Sequence, residues 1–165
     1  MKKDDLIIRE STNLLNLNKY FIDRGISEQT KEKLNTTDIL AIPIRYDDGE
    51  YYFAQETINF LKYCRQTKPE YSADVLADGD IKLRSLHSFD IWMPVIWIGS
   101  NIVFPIVINL VSNYIWEKMR GREQEDTKVN ITIIVQQENE IKELHYDGDA
   151  KTFSERFEKI DIMKL

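Results

Sequence analysis

From Ile91 to Trp116 the chain reads IWMPVIWIGSNIVFPIVINLVSNYIW, 26 residues without a charge, 18 of them apolar. A segment like this must be covered by protein or by lipid, because that much apolar surface is costly in water. All 22 basic and all 28 acidic residues lie outside it. The chain therefore divides into a polar α+β region 1–90, an apolar segment 91–119 and a C-terminal unit 128–165, expected to make one fold. The nearest thing to a linker is Glu117–Lys128, EKMRGREQEDTK, where eight of twelve residues are charged and can stay solvated without a core.

As one helix the uncharged block would measure about 39 Å, more than the roughly 30 Å of a bilayer's hydrocarbon. Trp92 and Trp97 near one end and Tyr114 and Trp116 at the other match an aromatic belt, and Lys118, Arg120 and Arg122 follow as a basic flank. Against a span stand Pro94, Gly99 and Pro105, which interrupt the block, and Ser100, Asn101, Asn109, Ser112 and Asn113 within it. Its wealth of Ile and Val also admits strand-turn-strand or strand-turn-helix, with the turn at Gly99-Ser100-Asn101. The expectation is a protein-buried segment that becomes a helix over 105–119, since Pro is tolerated in a first turn. On that helix Asn109 and Asn113 fall on the side away from the core, facing water or a second subunit.

The flanks read as an α+β fold with short antiparallel hairpins. Leu14, Leu17 and Phe21 have helical spacing, and Gly25 stops that helix. Ser27 caps a short polar helix. Ile42, Ile44 and Tyr46 alternate, Asp47-Asp48-Gly49 turns, and Tyr51 and Phe53 alternate back as a hairpin, with Pro43 marking an edge strand. Gln55–Gln66 is a helix with Ile58, Leu61 and Cys64 inward, ended by Pro69. Residues 71–77 and 81–84 form a second hairpin about Asp78-Gly79. The C-terminal unit is β-β-α: Val129, Ile131, Ile133 and Val135 alternate, with Ile134 the exception; 141–146 runs back; Asp149 caps a helix striped by Phe153, Phe157 and Ile160.

The chemistry-bearing residues do not assemble into a motif. His87 and His145 stand 58 positions apart, and no metal-ligand spacing surrounds Cys64. Ser85, His87, Ser88 and Asp90 are too close in sequence for a hydrolytic triad and read as a polar turn. The Asp-Gly pairs are turns rather than calcium loops. A net charge of −6 and a pI near 5.0 disfavour a nucleic-acid partner. One cysteine excludes an internal disulfide and suits a reducing compartment. The opening MKKDDLIIRE places acids straight after its lysines and does not read as a secretory leader. No catalytic, cofactor or metal residue is expected.

An apolar helix ending in Leu110, Tyr114 and Ile115 comes first in the C-terminal half, then a basic patch at Lys118, Arg120, Gly121 and Arg122. A strand Val129–Val135 follows, then one closing on Tyr146-Asp147-Gly148, then a helix with Phe153 and Phe157. Over residues 102–162 this order resembles small effector-associated components of bacterial conflict systems, anti-phage loci included. The resemblance implies a non-enzymatic partner subunit or adaptor in a multi-component system. The expected location is cytoplasmic, and the expected partner is another protein or a second copy of the chain. Trp92, Trp97, Asn109, Asn113 and Trp116 are the expected interface. Two alternatives are a membrane-associated effector that inserts 91–116 at the inner membrane, and a small ligand-binding domain or enzyme built from scattered residues.

Overall fold

The computed structural model describes residues 6–11, 26–46, 48–79, 81–85, 91–100, 102–121, 126–137 and 140–158. In chain order these give β1 (Leu6–Ser11), α1 (Glu28–Lys31), α2 (Lys33–Thr36), β2 (Ile39–Ile42), β3 (Ile44–Arg45), β4 (Tyr51–Ala54), α3 (Thr57–Thr67), β5 (Ala73–Val75) and β6 (Leu83–Arg84). Then come β7 (Ile91–Ile98), α4 (Phe104–Met119), β8 (Lys128–Gln137), β9 (Glu140–Asp149) and α5 (Phe153–Glu158). Helices and a mixed sheet make this an α+β fold.

The uncharged block is strand, turn, then helix. β7 lies inside a six-stranded sheet of order β1-β9-β8-β7-β2-β5, parallel to β8 and antiparallel to β2. A strand buried on both faces reads as a continuous apolar run, as IWMPVIWI does. Pro94, which has no N–H to give a ladder, is accommodated where the β7–β8 register shifts between Trp92 and Val95. Adjacent parallel strands need a long crossover, and α4 supplies it. Pro105 sits in the helix's first turn, and Gly121 ends it at φ 84°, a left-handed position that a side chain would strain. No helix among the described residues is long and apolar enough to cross a membrane.

α3, α4 and α5 cover one face of the sheet. Beneath them Ile39, Ile91, Ile96, Ile98, Val129, Ile131, Ile133, Val135, Leu144 and Tyr146 meet Phe60, Leu61, Val107, Val111, Ile115, Phe153 and Phe157. The opposite face has its own smaller core of Ile26, Leu40, Ile42, Leu76, Trp97, Ile134 and Ile141. Ile134, the exception in its strand's alternation, belongs to this second core.

The structure departs from the sequence reading in four places. The strand expected over 42–46 is split at Pro43: β2 just before it is interior, between β7 and β5, whereas β3 after it is an edge of the small sheet, as the proline suggests. Pro43 thus separates β2 from β3, letting the chain leave the large sheet and pair β3 with β4 across the Asp48-Gly49 turn. No hairpin joins 71–77 to 81–84: β5 lies parallel to β2, and β6 lies parallel to β4. Asp78 does not close a hairpin. Its carboxylate accepts the Ser27 N–H at 2.9 Å, the Ser27 hydroxyl at 2.9 Å and the Thr30 hydroxyl, holding the start of α1 beside the cap that Ser27 itself provides. Ile58 is not inward but 38% exposed. The helix expected over 14–22, its stop at Gly25, and Ile160 lie outside the described residues.

At the outer edge of β5 the chain's own cations occupy the free carbonyls. Arg65 Nε donates to Ala73 O at 2.9 Å, and Lys33 Nζ donates to Val75 O at 3.0 Å while pairing with Asp74 at 3.1 Å.

Two measurements check this account. Phe157 is 1% exposed and stacks with Phe153 at 4.6 Å, so Phe157→Ala should cost about 3–5 kcal/mol in urea unfolding. The Thr30 hydroxyl first, then the Ser27 N–H and hydroxyl, hold the Asp78 carboxyl below its ordinary range. A lowered native pKa makes stability present above the ordinary carboxylate range and lost as pH falls through the native value. The melting-temperature advantage of wild type over Asp78→Asn should therefore be largest at neutral pH and shrink near pH 3.

Candidate functional site

α4 is the middle helix of its layer, with α3 on one side and α5 on the other. Its inner face holds Val107, Ile108, Leu110, Val111, Tyr114 and Ile115, all buried. Its outer face holds Pro105, Asn109, Asn113 and Trp116, all exposed, and Ile102 in the turn just before the helix continues the row. Trp116 is 62% exposed and Ile102 is 77% exposed. Between them Asn113 Nδ2 donates to Asn109 Oδ1 at 3.2 Å, one turn apart on the same side. An exposed tryptophan on a charge-free helical row is the kind of anchor that protein interfaces favour.

The helix is fixed from beneath by one buried carboxylate. Glu56, just before α3, is 6% exposed. Its Oε1 accepts the Tyr114 hydroxyl at 2.5 Å and pairs with Lys118 Nζ at 3.1 Å, one turn further along α4. A buried charge held by a cation and a hydroxyl meets the requirement that such groups be paired. Burial, and then the neighbouring Glu56, push the Tyr114 hydroxyl far above its ordinary range, so it remains a donor at every physiological pH. Phe60 and Tyr63 of α3 pack on the Tyr114 ring at 5.4 and 5.5 Å. Residues 114–118 thus cannot shift without breaking the Glu56 pair, and Trp116 projects outward from this clamped turn.

The expected interface residues separate into two groups. Asn109, Asn113 and Trp116 share the outer face of α4. Trp92 and Trp97 do not reach a surface: they are 5% and 1% exposed, side chains of an interior strand. Trp97 fills the second core, and the Trp92 and Tyr46 rings meet edge-to-face with centres 5.7 Å apart. That contact fastens the small β3-β4-β6 sheet, where the Arg84 guanidinium lies 4.4 Å from the Tyr46 ring centre and 5.2 Å from that of Tyr52. Asp48 closes the cluster, accepting the Tyr52 hydroxyl at 2.8 Å and pairing with Arg84 at 3.7 Å. Its members bind one another, so the cluster reads as a strut. Ile102 was missed by sequence reasoning; it lies one helical row ahead of Pro105, and its spacing to Asn109 was the available signal.

Elsewhere the chemistry is sparse. Among the described residues no three of His, Cys, Asp or Glu gather as a metal site. His87 lies outside the described residues, and His145 is half-buried on β9 with its Nδ1 2.8 Å from the Thr132 hydroxyl. Cys64 is buried at 1% exposure, and desolvation pushes its thiol up to about 12, which leaves it unreactive. A cavity of about 260 Å³ opens at the carboxyl ends of β7 and β8, lined by Asn35, Asp38, Ser100, Val103 and Gln136 among others. It falls below the roughly 300 Å³ at which ligand sites begin. Asp38 there is committed to Ser72, accepting its N–H at 2.9 Å.

No family model, no curated protein and no solved structure matches this chain.

Tyr114→Phe removes one donor from a buried carboxylate and should cost about 1–3 kcal/mol in urea unfolding. The share of tryptophan emission open to acrylamide quenching, which Trp116 supplies while Trp92 and Trp97 are buried, should stay unchanged, because the lysine pair still holds the turn.

Proposed function

We propose that this chain is a protein-binding assembly subunit whose docking element is the outer face of α4, in the partner role that the bacterial conflict-system resemblance implies. The observation that carries the reading is Trp116. A large apolar side chain 62% exposed on a turn clamped by Glu56 is an anchor held in its binding geometry before a partner arrives. Pre-ordering of this kind lowers the entropy cost of association. The surroundings support the same reading: no charge interrupts the row from Ile102 to Trp116, although charged residues make up 30% of the chain. Interface centres are depleted of charge in this way, with polar residues at the rim, and here Glu117 and Arg120 stand at the end of the row.

Site-specific photo-crosslinking in the producing cell tests the reading. A benzophenone amino acid at position 116 should give a discrete adduct heavier than the 19.5 kDa chain. The same probe at Lys62, exposed on α3, should not. Identical adduct patterns at the two positions would remove the α4 face as a docking element.

A further inference from the structure

We draw no further inference here: the strongest candidate, the exposed face of the crossover helix α4 around Trp116, carries nothing beyond the docking role already proposed, because nothing in the structure shows what covers it.

Discussion

The parallel pairing of β7 with β8 is the constraint on which the architecture depends. Neighbouring strands that run the same way cannot be joined by a tight turn, so the chain must return over one face of the sheet. α4 is that return. It roofs β7 on one side, and the Leu40–Trp97–Ile134 core closes the other. A strand covered twice has no room for a charge, which accounts for the first third of the uncharged block. The same run could have been lipid-facing on hydropathy alone. Pro94 at the register shift and the turn at Gly99 and Ser100 divide it into pieces suited to a sheet and its crossover.

The crossover helix then has two faces with different duties. Inward, its branched residues complete the main core. Outward, charge is absent where solvation would ordinarily call for it. The Glu56 carboxylate joins these duties, because it sits under the helix yet fixes the turn that carries Trp116. A carboxylate taken out of water is costly unless it is paired, and here Tyr114 and Lys118, on either side of Trp116 in the chain, supply the pairing.

Local pattern carried much of this. The β-β-α order of 128–158, the burial of Phe153 and Phe157, the helix from Pro105 to Met119 and the cap at Ser27 all follow from spacing and end residues, and Asn109 and Asn113 fall on the solvent side as their spacing requires. Long-range pairing was not legible. β5 and β6 look like two arms of a hairpin because Asp78-Gly79 separates them, yet each joins a strand from further away, and Asp78 serves a helix about 50 residues earlier. Pro43 signals an interrupted strand, but whether at an edge or a crossing between sheets depends on neighbours that sequence does not name. Trp92 and Trp97 looked like interface residues because aromatic content alone does not separate a core strand from a surface. Ile134 did hold a clue: an apolar residue out of phase in an alternating strand reports that the second face is covered too.

The side chains of Arg65 and Lys33 on the β5 carbonyls have a consequence beyond local pairing. Open-ended stacking of sheets into fibres needs two free edges, one to receive a strand and one to offer the next. With the β5 edge shut by the chain's own cations, strand addition at the opposite side of the six-stranded sheet finds no second free edge there from which to propagate. The large sheet therefore offers no route for open-ended stacking through its β5 side.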